Sequence, residues 1–366
     1  MKKKLGVVAN QARLLFRKKN AMPVYLVHFI TNACFLKCKH CFVYKVKDKY
    51  ELSLDEIDQL TRNLGKNLYS VLLTGGEPFQ RKDIADIIEL YYNNAGVSSI
   101  QIPTNAYFTD RIVGITTRTV KQHPDRTFVI SVSFDGVEEV HDSIRGFKGL
   151  FGKAIVTYKQ LQEVEKEFKN FNLSANLTFS YFNQDNITDI YNYILDELGG
   201  NKLTVTLTRD KSEDPLALQF DVMKYKKFID YMKKDTEKGR LKGYKGFSLS
   251  SLLNAQDIIT RERNFRTVRD NKFISDCYAA HLSGVIRSNG EIHDCEIKQR
   301  CLGNLRDYDY DLKRIWLKEE SEALRRDIKE SKCFCTHECP NITNVLYNPK
   351  ELGKVIYELF EENVLR

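Results

Sequence analysis

The 366-residue chain has one tryptophan, four methionines and only seven prolines, and between Cys41 and Cys277 it has no cysteine at all. Each scarcity excludes something. Seven prolines and 19 glycines are too few for a collagen-like or low-complexity chain, and 42% hydrophobic residues exclude disorder. No apolar run approaches the ~18 residues of a spanning helix; the best, Pro23–Ile30, is interrupted by His28. The apolar stretch behind Lys2-Lys3-Lys4 is too short for a signal peptide. The net charge of +8 is spread along the chain without a nucleic-acid module, so no nucleic-acid partner is expected. The length suits one large domain or two modest ones.

What is abundant is cysteine, and it is clustered. Three thiols crowd at Cys34, Cys38 and Cys41, and six more fall at Cys277, Cys295, Cys301, Cys333, Cys335 and Cys339. An odd total without a signal peptide argues against a secreted disulfide framework. Two separated groups of soft thiolates read as two metal sites in a reducing, cytoplasmic compartment. At this level either zinc or iron–sulfur fits.

From Pro23 to Arg209 the sequence alternates β-branched or aromatic runs with helical patterns. Strands are predicted at Val24–Ile30, Tyr69–Leu73, Ser99–Pro103, Thr127–Ser133, Leu173–Phe179 and Lys202–Thr208. One intervening helix begins at Ser53, where Ser-Leu-Asp-Glu is a capping box. Others are predicted near 82–94, 109–122, 149–169 and 185–198. Six consecutive βα units imply parallel strands with right-handed crossovers, in a partial (β/α)6 TIM-like barrel or an open doubly wound sheet. A charged helical stretch over 211–270 reads as a bridging segment that helps form the substrate pocket. Asn289-Gly290 then signals a type I′ hairpin between Cys277 and Cys295. A helix is predicted at about 311–330.

The predicted strands end in chemistry-bearing residues. The first runs into the three cysteines, which can wrap a cluster but cannot complete four-coordination; a 4Fe–4S cube so held keeps one iron open. A zinc ion would need a fourth ligand, for which His40 is nearby. The second ends in Gly75-Gly76-Glu77-Pro78, where paired glycines permit close backbone approach to a ligand and the carboxylate can accept from a cation. The third ends at Asn105, and the fourth brings Ser133 and Asp135 to one side. Four signals at the C-terminal ends of strands mark one site.

In that order the motifs resemble those of radical S-adenosylmethionine (radical SAM) enzymes. Cys34-x3-Cys38-x2-Cys41 is similar to the family's cluster signature, and Gly75-Gly76-Glu77-Pro78 to its GGE(P) motif, which contacts the SAM amino group. Ser133 and Asp135 resemble its ribose contacts and Asn105 its third-strand polar position. His141-Asp142-Ser143-Ile144-Arg145-Gly146 resembles a segment of the subgroup with C-terminal auxiliary clusters, which makes Arg145 a SAM contact or a helix-surface ion pair. The sequence departs from the family at His40, where many members carry an aromatic residue that packs on adenine. The resemblance implies a partial barrel over 23–210 and a SAM-binding 4Fe–4S cluster on Cys34, Cys38 and Cys41. It also implies reductive cleavage of SAM to methionine and a 5′-deoxyadenosyl radical that abstracts hydrogen from a substrate. An electron donor such as flavodoxin or ferredoxin would feed the cluster.

Cys277-x12-Gly290-x4-Cys295 resembles the opening of the SPASM or twitch auxiliary-cluster module, expected here over 271–345, followed by a C-terminal helix at 346–366. That module's full form has seven cysteines; six remain here, ending in a shortened Cys-x-Cys-x3-Cys. The resemblance therefore implies one auxiliary 4Fe–4S cluster, with Cys277, Cys295, Cys335 and Cys339 as first-choice ligands and Cys333 next. A zinc knuckle including His337 is the structural alternative. Cys301 fits neither pair. It is an ordinary thiol, a further auxiliary ligand or, by analogy with radical SAM epimerases, a catalytic hydrogen-atom donor.

Residues 2–19 form a basic amphipathic segment expected to pack over the barrel or lie on an anionic membrane surface. Only about 22 residues precede the first strand, which leaves no room for a leader-binding domain. That favours a small-molecule substrate, or a peptide recognised without one. Arg209 and Asp210 are expected to face the cavity or pair with each other. Two classes of function follow: a radical enzyme performing dehydrogenation, epimerisation or crosslinking, including a peptide-modifying maturase, or a non-catalytic zinc-binding interaction protein.

Overall fold

A computed structural model of the chain describes residues 22–43, 50–209, 211–243 and 250–364. The basic N-terminal segment and Asp210 lie outside the described residues. Strands β1 (Tyr25–Thr31), β2 (Ser70–Gly75), β3 (Ser99–Thr104), β4 (Thr127–Ser133), β5 (Phe171–Phe179) and β6 (Leu203–Leu207) pair in parallel, each beside its sequence neighbour. That monotonic order decides between the two predicted architectures. A doubly wound sheet reverses direction at a switch point; here every crossover adds its strand on the same side. The arc is a partial barrel, because β1 pairs with a later strand rather than with β6.

The helices run α1 (Leu54–Asn63), α2 (Ile84–Asn93), α3 (Thr109–Gln122), α4 (Glu139–Arg145), α5 (Leu150–Glu167), α6 (Ile187–Asn192), α7 (Val222–Glu237), α8 (Ser250–Asp270), α9 (Leu312–Trp316), α10 (Glu319–Glu330), α11 (Glu338–Tyr347) and α12 (Pro349–Val364). The capping box forms: the Glu56 amide donates to Ser53 Oγ at 3.2 Å, and Glu56 Oε2 accepts from the Ser53 amide at 2.8 Å. Glu56 also accepts from Arg306 at 2.6 Å and Tyr310 at 2.7 Å. Those donors, Arg306 foremost, hold its carboxyl down at about 2. A local helix signal thus doubles as a tether to the C-terminal region. Apolar faces at helical spacing, such as Ile84, Ile87, Ile88 and Tyr91 of α2, are buried in the main core. No helix of the described residues is long and apolar enough to cross a membrane.

The C-terminal cysteine region extends the same sheet. Strand β7 (Ser283–Ile286) lies parallel to β1 in register Tyr25↔Ser283, and β8 (Glu291–His293) and β9 (Cys301–Asn304) follow antiparallel. The hairpin forms where predicted, but its turn is not type I′. That turn needs positive φ at both central residues, whereas here Gly290 alone is left-handed, at φ 86°. The turn spans 287–290, closed by Gly290 N donating to the Arg287 carbonyl at 3.0 Å and Arg287 N to the Glu291 carbonyl at 2.8 Å. The helix predicted at 311–330 breaks at Leu317-Lys318 into α9 and α10.

Candidate active site

The open side of the barrel holds a cavity of about 1240 Å³. Cys34, Cys38 and Cys41 line it, together with Gly75, Gly76, Glu77, Asn105, Ser133 and Arg145. The bridging segment contributes Leu252, Leu253, Gln256, Asp257 and Thr260 of α8, and the C-terminal region contributes Glu296, Glu338 and Cys339. Residues predicted from four separate strand ends therefore meet on one wall. Asp135 is the exception: it is fully buried and lies behind that wall.

The cysteine loop is held from three sides. Lys39 N donates to the Ile144 carbonyl at 2.9 Å, so the His141–Gly146 segment docks directly on it. The Glu213 and Asp214 amides donate to the Cys41 and Lys39 carbonyls at 2.9 and 2.8 Å. The third side is β2. Gly76 N donates to the Thr31 carbonyl at 2.8 Å and Glu77 N to the Ala33 carbonyl at 2.9 Å. A β-carbon on Gly75 would sit 1.9 Å from the Thr31 oxygen, and one on Gly76 would sit 2.2 Å from the Ala33 oxygen. The close approach that these glycines permit is to the chain's own loop into Cys34, and both also line the cavity.

Glu77 is buried and accepts from three neutral donors of the chain. Oε1 accepts from Thr104 Oγ1 at 2.8 Å and the Phe79 amide at 3.2 Å, and Oε2 accepts from the Asn105 amide at 2.8 Å. The carboxylate ties the end of β2 to the end of β3. Burial pushes its carboxyl up to about 7, against the pull of these hydrogen bonds. The Asn105 side-chain Nδ2 is buried on the cavity wall with no hydrogen-bond partner.

Arg145 is no surface residue. Its Nε donates to Asp135 Oδ2 at 2.7 Å, and the two are 6% and 0% exposed. Asp135 Oδ1 accepts from the Thr178 amide at 3.0 Å, and His40 Nε2 lies 3.7 Å from Oδ2. Burial raises the Asp135 carboxyl, but Arg145, His40 and His141 outweigh it and hold it below the usual range. Asp135 thus anchors Arg145, and Arg145 and Ser133 face the cavity.

A second, small pocket is lined by Cys277, Cys295, Cys333 and Cys335. Cys339, a first-choice auxiliary ligand from the sequence, is absent from it and faces the main cavity; Cys333 takes its place. The reason is helical: Cys339 lies in the first turn of α11, while Cys333 and Cys335 precede it. Cys301 lines neither space. It is exposed on the last strand of the sheet.

Spacing separates the zinc and cluster readings. Among the described residues, two groups bring three ligand atoms within 4.8 Å of one another: Glu291–His293–Cys301 and Glu296–His337–Cys339. Neither cysteine set is that compact. A zinc ion with bonds of about 2.0–2.3 Å gathers its ligands closer than this. A multi-iron cluster takes one thiolate at each of several corners and accepts the wider spread. Burial pushes Cys34 up to about 11, and Cys38 and Cys335 up to about 12, so bound metal must displace their protons. The donor sets fit two iron–sulfur clusters.

Arg209 faces the cavity as expected, but its partner is Glu338 at 2.7 Å, across 129 positions. Sequence reasoning missed several other cavity residues. Glu296, next to Cys295, gave no signal of its own. The interior hydroxyls and amides of Gln101, Ser131, Asn176, Thr178 and Thr206 read only as ordinary strand residues.

Residues 29–187 match the family model described as the radical SAM superfamily. Fe-coproporphyrin III synthase of Methanosarcina barkeri is 32% identical over 183 residues, covering 49% of this chain and 42% of that protein. The antilisterial bacteriocin subtilosin biosynthesis protein AlbA of Bacillus subtilis is 24% identical over 293 residues, 78% of this chain and 58% of its own. The chain thus spans less than two thirds of either relative. Streptococcus suis SuiB bound to S-adenosylmethionine superposes with a TM-score of 0.63 at 17% identity, over 86% of this chain and 70% of that one, which shows the shared fold. Members of this family use a 4Fe–4S cluster and SAM. Residues 29–187 are thus a radical SAM domain, in a chain whose cysteine-rich C-terminal region extends the same sheet.

Proposed function

We propose that the protein is a radical SAM enzyme that abstracts a hydrogen atom from a peptide substrate held in the barrel cavity. The observation that carries this is one cavity of about 1240 Å³ lined both by Cys34, Cys38 and Cys41 and by Glu296, Glu338 and Cys339 of the C-terminal region. Small-molecule sites typically occupy about 300–1,000 Å³, so this volume admits SAM together with a second molecule. When bound, a reduced 4Fe–4S cluster on Cys34, Cys38 and Cys41 supplies the electron that cleaves SAM to methionine and a 5′-deoxyadenosyl radical.

The chain's own groups bind and orient. The Gly75-Gly76-Glu77 backbone, Asn105, Ser133 and Arg145 line the SAM end, and Asp135 fixes the Arg145 guanidinium. Cys277, Cys295, Cys333 and Cys335 hold the auxiliary 4Fe–4S cluster. The neutral donors and acceptors Gln101, Asn176, Thr178 and Thr206 suit peptide amides and uncharged side chains. The peptide reading is supported by AlbA, named for bacteriocin biosynthesis, and by SuiB, also solved bound to its precursor peptide SuiA. A small-molecule substrate is the second reading, supported by the coproporphyrin synthase relative. A flavodoxin or ferredoxin supplies the electron, and the thiol-rich sites fit the reducing cytoplasm.

The test is anaerobic turnover with dithionite, SAM and deuterated candidate peptides, reading deuterium in 5′-deoxyadenosine by mass spectrometry. Transfer from a peptide supports the reading, and transfer from a small molecule alone moves it to the second. A colourless protein with stoichiometric zinc and no SAM cleavage overturns both.

A further inference from the structure

Cys339 turns away from the four-cysteine pocket and meets two other ligand-type side chains. Its Sγ, a His337 ring nitrogen and a Glu296 carboxylate oxygen lie within 4.8 Å of one another. Glu296 and Cys339 are on the wall of the main cavity, and His337 is 1% exposed behind them. We propose that Glu296, His337 and Cys339 form a mononuclear site for a divalent cation of borderline softness, zinc or ferrous iron, separate from both four-iron sites.

Compactness is the first argument. The two cysteine sets are too spread for one ion, while this trio is gathered as a single ion requires. Charge is the second. Once its proton is displaced, the Cys339 thiolate beside the buried Glu296 carboxylate gives two negative charges, which a divalent cation neutralises. The nearby cation Arg209 is already engaged by Glu338 at 2.7 Å. The third argument is the histidine. Its Nε2 is held against the Glu296 carboxylate, while Nδ1 is buried without a hydrogen-bond partner, 3.9 Å from Glu338 Oε2. With a metal between Nε2 and Glu296, Glu338 becomes the carboxylate behind the ligand histidine, a common outer-shell arrangement.

Burial pushes the Cys339 thiol up, so a bound cation must displace its proton, and part of the surroundings helps. His337 caps α11 and Cys339 lies in its first turn, where the helix dipole favours negative charge. Tyr25 also hydrogen-bonds Cys339. Three protein ligands leave a fourth position toward the cavity, the pattern of zinc sites that take an exogenous ligand. A substrate thiolate, carboxylate or carbonyl oxygen is the class of group that would fill it. The site stands whether or not the cavity takes a peptide.

The test uses the full-length protein with both clusters reconstituted, treated with chelator and dialysed against cobalt(II) as a spectroscopic stand-in for zinc. Iron and cobalt are measured per chain, together with the thiolate-to-cobalt absorption. Wild type is expected to bind about one cobalt per chain in a thiolate-containing site. Cys339→Ser and His337→Asn should lower cobalt binding at least tenfold with iron unchanged, and Glu296→Gln should weaken it without removing the thiolate band. Cys333→Ser should lose about four iron atoms and keep its cobalt. Loss of iron from Cys339→Ser, with cobalt binding intact, would return that thiol to a cluster and overturn the proposal. So would absence of cobalt absorption in wild type carrying both clusters.

Discussion

The α-carbon of Gly76 stands so close to the Ala33 carbonyl that a β-carbon there would lie 2.2 Å from its oxygen. Ala33 immediately precedes Cys34, so the motif at the end of β2 shapes the cysteine loop from behind. Gly76→Ala must push that loop outward. The expected cost is about 1–3 kcal/mol or more in urea unfolding, with loss of the iron bound by the first cysteine set. A variant with wild-type iron content and stability would show that the loop is not held there.

Arg145 and Asp135 are a buried pair whose halves should not be removed singly. Arg145→Gln is expected to cost about 3–5 kcal/mol, because it strands a buried carboxylate. Adding Asp135→Asn should recover a large part of that loss in a double-mutant cycle. The pair also fixes an acid limb. Asp135 is depressed, so its stabilisation is present above the ordinary value of 3.8 and fades as pH falls through the lower folded value. Denaturation followed below pH 4 should show a steeper loss in wild type than in Arg145→Gln.

Glu77 acts with the opposite sign. Burial raises its carboxyl from an ordinary 4.5 to about 7. Its protonated form is favoured by folding, so that contribution is full below pH 4.5 and lost as pH rises to about 7. The size is about 3 kcal/mol for the cofactor-free protein. Stability measured across that window should decline in wild type and flatten in Glu77→Gln. A wild-type profile as flat as that of the variant would mean that the site solvates this carboxylate.

Cys301 lies on the sheet edge, away from both pockets. Cys301→Ser should keep its iron and turn over within about twofold of wild type, as surface changes usually do. With both clusters loaded, which occupies the equally exposed Cys34, the same thiol should be alkylated first by iodoacetamide. A block after SAM cleavage would restore it as a hydrogen donor.

The features legible in the sequence were those that rest on local physics. Alternation and caps placed the six barrel strands, and Thr127–Ser133 and the helix at 109–122 match residue for residue. The Ser53 capping box formed because its partners are three residues apart. What escaped depends on distant partners. Glu338 meets Arg209, and His337 meets Glu296, only after the C-terminal region folds against the barrel. That Cys333 and not Cys339 lines the four-cysteine pocket follows from where α11 starts, and a two-residue cysteine spacing does not reveal that boundary. Asn289-Gly290 located the hairpin but not its turn type, since one left-handed glycine sufficed.

Strand β1 has neighbours on both edges, β2 at one side and β7 at the other. The strand that delivers the first cysteines therefore waits on a segment synthesised more than two hundred residues later. While the chain is being made, its barrel emerges with β1 bare along one edge, an open template for pairing with another nascent copy. Only when residue 286 has left the ribosome can β7 seal it. Correct assembly of the N-terminal site is thus timed by the C-terminus, and truncation before Ser283 should yield aggregates rather than a smaller working barrel.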